Sequence, residues 1–379
     1  MVALMRTLRA VLLGVLLSLV ALEAGARAWL RYGADTETQL RYASLRELAT
    51  RERRGFFARH WYLGYALTPS WEHGENRHDP RGFRGEDVVV PKPENEFRIV
   101  CLGGSTTYGY GVRDWRQAYP ACLAREMRRR GHANVTVVNA GCANWTTWES
   151  TLQVPLRLLE LEPDLFVVYH GINDLKTRTA WPPERYRPDN SGARSVPSTY
   201  LMPPIHEHSA FWRIIAIQAG WMLSHVDLER TLDTPTTFER WPEFSKQLKR
   251  GLYPEAPFDD VSFADMMAAN PPTYFEQNLR SLCAMAREFD IEVVLTTFVL
   301  WPQPLRRSPR GAEELAGALQ EMNAVLPRVA EQCGARVFDL AAAMPLEKRY
   351  FVDFVHFSAE GNEVWASLLA DWLERHREW

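Results

Sequence analysis

The residues of this sequence that could do chemistry together are a serine, a histidine and an aspartate. Ser105 directly follows Gly103-Gly104, and His356 comes three positions after Asp353. A nucleophilic serine needs a base to take its proton, and the base needs a carboxylate that orients it. If the fold brings these two distant parts of the chain together, they can form a Ser-His-Asp triad for acyl transfer.

An acyl-transfer site also needs N–H donors that hold the negative oxygen of the tetrahedral intermediate. The backbone N–H groups of Ser105 and Gly141 and the side-chain amide of Asn173 are candidates for three such donors. Gly141 ends the group Asn139-Ala140-Gly141, and Asn173 belongs to the group Gly171-Ile172-Asn173-Asp174. The sequence therefore contains residue types both for acyl transfer and for stabilising its tetrahedral intermediate.

The elements that must position these residues alternate between strands and helices. Apolar runs predict strands at residues 99–102, 135–138, 165–169, 291–298 and 335–339. Helices are predicted at residues 119–130, 150–161 and 274–289, with a last helix after Ser358 as its N-cap. This alternation predicts a parallel sheet covered on both faces. Ligands bind at the carboxyl ends of such strands, which is where Ser105, Gly141 and Asn173 fall.

In order and rough spacing, these groups resemble the four blocks that give the SGNH (GDSL-like) hydrolases their name. The matching blocks are Gly103-Gly104-Ser105-Thr106-Thr107, Gly141, Gly171-Ile172-Asn173-Asp174 and Asp353-x-x-His356. Gly104 replaces the aspartate of the Gly-Asp-Ser-Leu form. The resemblance covers about residues 97–175 and 274–375. It implies a flavodoxin-like three-layer α/β/α sandwich with about five parallel strands.

The resemblance also implies a role for each residue. Ser105 attacks the acyl carbon, His356 takes and returns the proton, and Asp353 steers His356. Ser105, Gly141 and Asn173 hold the oxyanion. Some family members use only serine and histidine, so Asp353 could instead be a cap. The family needs no metal for its core chemistry, and no cofactor is expected.

The N-terminus indicates export. Arg6 and Arg9 precede an apolar run at residues 10–22, and basic residues before such a run favour an N-terminus that stays inside. The run is short for a spanning helix and is followed by a possible cleavage site, Ala24-Gly25-Ala26, but apolar character continues beyond it. We expect residues 1–33 to be an uncleaved membrane anchor. Cleavage with secretion, or a buried helix of a cytosolic protein, are the alternatives.

The remaining chain divides into three parts. Residues 34–95 are expected to be a stalk, or N-terminal extension, that folds back onto the main domain. Residues 96–379 are the expected hydrolase domain. Its insert at residues 176–272 is rich in Pro and Trp and too long for a bare loop, which predicts a cap beside the strand ends.

Net charge, cysteine positions and glycine spacing argue against several other functions. The net charge of −3 gives no reason to expect a nucleic-acid partner. The five cysteines are scattered, which argues against a zinc site or a dense disulfide framework. Cys101 and Cys142 could pair, but buried free thiols are expected. Residues 103–109 lack the Gly-x-Gly-x-x-Gly spacing of a dinucleotide site.

These observations predict an exported, membrane-anchored serine hydrolase whose catalytic domain is periplasmic or otherwise extracytoplasmic. It would cleave an O-acyl ester, and an acylated glycan of the cell envelope would suit an anchored enzyme. An O-acyltransferase with the same triad is the first alternative. A catalytically inactive binding module with this fold is the second.

Overall fold

The computed structural model describes residues 2–44, 47, 55–60, 62–194, 204–225, 238, 240–253 and 261–377. The chain forms two compact units. The first comprises Met1–Gly55 and Pro197–Pro235, and the second comprises Phe56–Val196 and Thr236–Trp379. The division falls within both the expected N-terminal extension and the expected insert.

The first unit is helical. Its described helices are Val2–Tyr32, Thr36–Arg41, Pro204–His208 and Ala210–Gln218. Within the described residues one helix is long and apolar enough to cross a membrane, Met5–Tyr32, with a mean hydropathy of 1.9 over its most apolar stretch. The last of these helices packs its apolar side, including Ala216 and Ile217, with Tyr42 and Leu30.

The second unit is built around a five-stranded sheet in the order β6-β5-β7-β8-β9, all parallel. The strands are β5 (Phe97–Gly103), β6 (Val135–Asn139), β7 (Leu165–Tyr169), β8 (Glu292–Thr296) and β9 (Arg336–Phe338). In chain order within the sheet this is 2-1-3-4-5, the flavodoxin-like order. The predicted α/β sandwich is confirmed, and its central strands β5 and β7 are buried apolar runs because helices cover both faces.

Four short strands precede the sheet. They form two antiparallel pairs, β1 (Phe57–His60) with β2 (Gly64–Leu67) and β3 (Glu72–His73) with β4 (Asn76–Arg77). The extension thus has regular structure of its own within the second unit.

Eleven α-helices are described in the second unit. They are Ser105–Tyr108, Tyr119–Arg129, Thr147–Gln153, Ile172–Thr177, Trp241–Arg250, Phe263–Ala269, Thr273–Glu288, Pro309–Asn323, Val325–Cys333, Leu340–Ala343 and Ala359–His376. The helix predicted at residues 150–161 begins earlier, and from Val154 to Leu158 it is a π turn. Pro155 explains this change, since proline lacks the N–H that an α-helix interior uses.

Aromatic packing fixes the last helix on the sheet. The Trp365 ring stacks on Tyr119 with centroids 3.4 Å apart and lies 4.4 Å from the Tyr169 ring. Ser358 caps this helix as predicted, since its hydroxyl accepts the N–H of Gly361 at 3.1 Å. The last helix is thereby held against one face of β7 and against the helix Tyr119–Arg129.

The cysteines are all free, and Cys101, Cys122, Cys142 and Cys283 are buried. The expectation of buried free thiols is confirmed for these four. Cys101 and Cys142 do not pair.

Candidate active site

Ser105 lies at the carboxyl end of β5, where it begins the short helix Ser105–Tyr108, which we call the Ser105 helix. The turn before it is crowded. A Cβ on Gly103 would lie 2.0 Å from Thr107 Oγ1 and 2.6 Å from the Tyr169 carbonyl oxygen. Glycine is therefore required where the ends of β5 and β7 approach each other, and Ser105 is left partly exposed at the edge of the sheet.

His356 and Asp353 reach Ser105 from the loop before the last helix. His356 Nε2 lies 2.8 Å from Ser105 Oγ, and His356 Nδ1 lies 2.7 Å from Asp353 Oδ2. The carboxylate can only accept, so Nδ1 carries the proton and Nε2 is free to accept from the serine hydroxyl. The three side chains form one hydrogen-bonded chain.

The carboxylate of Asp353 is held in its ionised form. Its Oδ1 accepts the backbone N–H groups of Val355 and His356 at 2.9 and 2.8 Å. Burial would raise the pKa of Asp353, but the hydrogen bond and charge of His356 and these two N–H donors hold it below its ordinary value. An antiparallel bridge between Phe351 and Phe357 closes this loop on itself.

Asn173 enters the site from the first turn of the helix Ile172–Thr177, after β7. Its Nδ2 donates to the Trp145 carbonyl oxygen at 2.9 Å, and its Oδ1 accepts from Lys176 Nζ at 2.8 Å. A Cβ on Gly104 would lie 2.5 Å from Nδ2, so the amide sits against the turn that follows β5. An NH₂ group carries two hydrogens, and one remains for a ligand.

Gly141 lies beside the Ser105 helix, but its N–H is already engaged. It donates to Asn139 Oδ1 at 3.1 Å. A Cβ on Gly141 would lie 2.4 Å from the Tyr108 nitrogen and 2.9 Å from Thr107 Cβ. Glycine is therefore needed here for the Ser105 helix to pack closely, and the part of Gly141 as an oxyanion donor stays a prediction.

A second serine-histidine-aspartate group is buried behind the site. Ser150 Oγ lies 2.7 Å from His170 Nε2, and His170 Nδ1 lies 3.7 Å from Asp174 Oδ2. Burial lowers the pKa of His170 to about 3 and, against the hydrogen bonds from Thr147, raises the pKa of Asp174 to about 7. Since these side chains are closed to solvent, the group anchors the loops around the site and cannot reach a substrate.

Sequence analysis missed two basic residues that contact this region. Arg84, which sequence analysis placed in the N-terminal extension, is buried against the end of the Ser105 helix. Lys176 contacts Asn173, as described above. Its position three residues after Asn173 on one helix was a usable signal, because such residues share a helix face. Within the described part of the chain no group of three or more His, Cys, Asp or Glu could hold a metal ion.

Residues 101–250 and 260–364 match the model of the GDSL-like lipase/acylhydrolase family. Among curated proteins none matches the sequence. Solved structures with a similar fold include a GDSL-like lipase from Bacteroides thetaiotaomicron, with 15% identity over 76% of this chain and 93% of that chain and a TM-score of 0.41. A lipase/acylhydrolase from Enterococcus faecalis has 16% identity over 74% of this chain and 97% of that chain, also with a TM-score of 0.41. The family match covers more than half of the chain, which therefore belongs to the GDSL-like lipase/acylhydrolase family of hydrolytic enzymes.

Proposed function

We propose that this protein is a serine esterase that cleaves O-acyl esters through an acyl-enzyme. The observation that carries the proposal is the hydrogen-bonded chain from Ser105 Oγ through His356 to Asp353. Each side chain of the triad has the hydrogen-bond partner that its role requires, and Ser105 is partly exposed at the carboxyl edge of the sheet. Family membership supports acyl hydrolysis as the reaction class.

The reaction proceeds in two halves. His356 Nε2 takes the hydroxyl proton of Ser105 as Oγ attacks the acyl carbon, and Asp353 stabilises the imidazolium. The tetrahedral intermediate collapses, the bond to the alcohol breaks, and the leaving alkoxide takes the proton from His356. Water then attacks the acyl-enzyme, gives one proton to His356, and releases the acid as Ser105 regains its hydroxyl.

The oxyanion is proposed to bind the backbone N–H of Ser105 and the remaining Nδ2 hydrogen of Asn173. Both groups border the turn between β5 and the Ser105 helix, and a helix N-terminus favours negative charge. The N–H of Gly141 would have to leave Asn139 Oδ1 to act as a third donor. We therefore propose that the main role of Gly141 is to allow close packing of the Ser105 helix, and that its N–H contributes to oxyanion binding only as a secondary role.

We propose that residues 1–33 remain as a membrane anchor and that the catalytic domain lies outside the cytoplasm. Glu23 accepts the N–H groups of Ala210 and Phe211, both at 3.0 Å, and the Ser209 hydroxyl at 2.8 Å. It thereby caps the helix Ala210–Gln218. Cleavage after residue 26 would remove this cap, which favours retention over secretion as a cleaved form.

An ester on a cell-envelope glycan is the proposed substrate class, since an anchored enzyme meets polymers at the membrane surface. One contact supports a sugar as the alcohol part. The Tyr110 ring is 66% exposed and lies 5.6 Å from the His356 ring, where the leaving alcohol must receive its proton. An exposed aromatic ring there offers a flat apolar face to a sugar ring.

The test uses a fluorophosphonate probe, which labels activated serines, and a short-chain aryl ester. Wild-type protein is compared with Ser105→Ala and, as a matched control, with Ser281→Ala on the exposed surface of another helix. We expect labelling and turnover to be lost in the first variant and kept in the second. Labelling without turnover would instead favour an O-acyltransferase that lacks its acceptor. Folded wild-type protein that is neither labelled nor active would favour the binding-module alternative.

A further inference from the structure

Lys176 contacts the proposed oxyanion amide directly. It lies one turn after Asn173 on the helix Ile172–Thr177, and its ammonium donates to Asn173 Oδ1 at 2.8 Å. In the described part of the chain Lys176 forms no ion pair, whereas Lys92 and Lys246 pair with carboxylates. A partly buried cation next to a candidate active site therefore makes its close polar contact with the amide rather than with a carboxylate.

Aromatic rings cover the other side of Lys176. The ring centres of Phe238 and Trp241 lie 5.7 and 5.4 Å from Nζ, within the range of a cation–π interaction. The charged groups that act on the ammonium are Asp353, from the loop before the last helix, and Lys249, from the helix Trp241–Arg250. The ammonium is thus held in place by rings and an amide, within the field of the proposed triad.

The partners of the Asn173 amide allow one orientation. The ammonium of Lys176 has donors and no acceptor, so it can bind Oδ1 but not the NH₂ group. The Trp145 carbonyl can accept from Nδ2 but cannot bind Oδ1. A flipped amide would lose both hydrogen bonds and would turn an oxygen toward the oxyanion.

We propose that Lys176 is a positioning residue of the oxyanion hole, which fixes the Asn173 amide with Nδ2 toward the acyl group and adds positive charge behind it. This inference rests on the proposed esterase function. The charge acts through a polarised amide, so it strengthens a hydrogen bond that is needed most in the transition state. Lys176 therefore acts on kcat more than on KM.

The same geometry predicts an upper pH limit for the reaction. Burial lowers the pKa of Lys176 to about 8, against the charge of Asp353, which raises it, and together with Lys249, which lowers it further. Below this pKa the ammonium is charged, and above it the charge behind Asn173 is lost. The wild-type rate should decline as the pH rises through about 8.

The experiment measures kcat and KM of the full chain in mild detergent on a short-chain aryl ester, from neutral to alkaline pH. Lys176→Met removes donor and charge, Lys176→Gln keeps a donor without charge, and Lys176→Arg keeps both. Lys246→Met, on an exposed lysine of a neighbouring helix, is the matched control. Thermal unfolding of each variant separates misfolding from a catalytic effect.

We expect Lys176→Met to lower kcat by about 10- to 100-fold, somewhat less than the loss of an oxyanion donor itself, with KM within about twofold. The decline above pH 8 should disappear in all three variants. The Met and Gln variants should keep a low rate at every pH, whereas the Arg variant should keep its rate at alkaline pH, because a guanidinium stays protonated there. Lys246→Met should keep both the rate and the profile.

Turnover in wild-type protein with an unchanged rate and pH profile in Lys176→Met would overturn this inference and leave the esterase intact. A rise in KM alone, confined to esters with an anionic group, would also overturn it, because Lys176 would then bind substrate. If Lys176→Met fails to fold, the rates and pH profiles of the Gln and Arg variants are compared instead, because these variants differ in the charge at position 176. Absence of Ser105-dependent turnover and labelling in wild-type protein would overturn the proposed function itself.

Discussion

The guanidinium of Arg84 lies 4.3 Å from the centre of the Tyr108 ring and donates a hydrogen bond to the Tyr108 carbonyl oxygen. It also donates to the carbonyl oxygens of Gly109 and Val112, both at 3.0 Å. The last carbonyls of a helix have no partner within it, and here Arg84 supplies one. A residue from the expected N-terminal extension therefore closes the helix that Ser105 begins.

Replacing Arg84 should affect both stability and rate. We expect Arg84→Met to lower the free energy of unfolding by about 3 kcal/mol, since several buried hydrogen bonds from a charged donor are lost. Arg84→Lys should restore little of the lost free energy of unfolding, because an ammonium cannot donate to all three carbonyl oxygens as a planar guanidinium does. Urea unfolding and the rate of probe labelling at Ser105 measure the two effects. Arg81→Met, on a half-exposed neighbour, is the control, and an equal loss there would contradict the assignment.

The orientation of His356 gives a second prediction. Asp353→Asn should lower kcat by about 10²- to 10⁴-fold with little change in KM, since an amide can donate to Nδ1 and so favours the wrong tautomer. Steady-state kinetics on an aryl ester measures it. Asp290→Asn, at an exposed turn, should keep full activity. An Asp353→Asn enzyme as active as wild type would place this protein with family members that use only serine and histidine.

Gly141 gives a prediction about packing. Gly141→Ala should destabilise the protein by about 1–3 kcal/mol, because its Cβ would overlap the Tyr108 nitrogen and push the Ser105 helix outward. Gly317→Ala is the matched comparison, since it lies inside a helix with nothing near its Cβ position, and it should be neutral or stabilising. Chemical unfolding measures the free energy of unfolding of both variants and tests the difference between them. A stable Gly141→Ala protein with a greatly reduced rate would instead favour the oxyanion role.

Acid should destabilise the fold through His78, which is buried with Nδ1 2.9 Å from the Thr68 carbonyl oxygen. Burial lowers the pKa of His78 to about 4, against the Thr68 hydrogen bond and together with the charge of Arg84. The unfolded chain takes up this proton near pH 6.5 but the folded chain does not until about pH 4, so falling pH favours unfolding between these values. The contribution is up to about 3 kcal/mol, and it levels off below the folded pKa.

Urea unfolding of wild-type protein and His78→Gln at pH 7 and near pH 4.5 tests this. The loss of stability on acidification should be smaller in the variant, because its side chain does not titrate. An identical loss in both proteins would assign the acid sensitivity to other groups.

The contacts of Glu23 predict that the N-terminal segment stays on the mature chain. Mass spectrometry of protein from a membrane fraction should detect peptides that contain residues 10–22. Glu23→Ala should weaken the helix Ala210–Gln218 by about 1 kcal/mol, as loss of a cap does. A soluble chain that begins near residue 27 would show instead that the segment is a cleaved signal.

Much of the site could be predicted because a parallel sheet gathers the ends of its strands at one edge. Ser105 and Asn173 each follow an apolar run that predicts a strand. Their positions after these strands are enough to predict that the two residues lie at the same edge of the sheet. The hydrogen-bond state of Gly141 could not be predicted, since it depends on how the Asn139 side chain two positions earlier turns in the folded protein. Arg84 was expected only as part of the N-terminal extension, because nothing in the neighbouring sequence indicates that its side chain reaches the carbonyl oxygens of residues 108–112.

The fold was underpredicted between β8 and β9. The helices Pro309–Asn323 and Val325–Cys333 were not predicted, although Leu315, Leu319 and Met322 recur at helical spacing and are buried. Strand bounds shifted by one or two residues, because sheet pairing rather than hydrophobicity decides where β8 ends. Helix Trp241–Arg250, which places Trp241 over Lys176, lies in the insert, where the sequence analysis predicted a cap without naming its elements.

The bond between Ser105 and His356 joins residues 251 positions apart. A chain growing on the ribosome therefore displays its serine long before its histidine has been made. Any nascent or truncated chain that stops before residue 356 carries no base for that serine. Under the proposed mechanism, ester cleavage therefore requires that the chain extend through residue 356, and a chain that stops before it cannot activate Ser105.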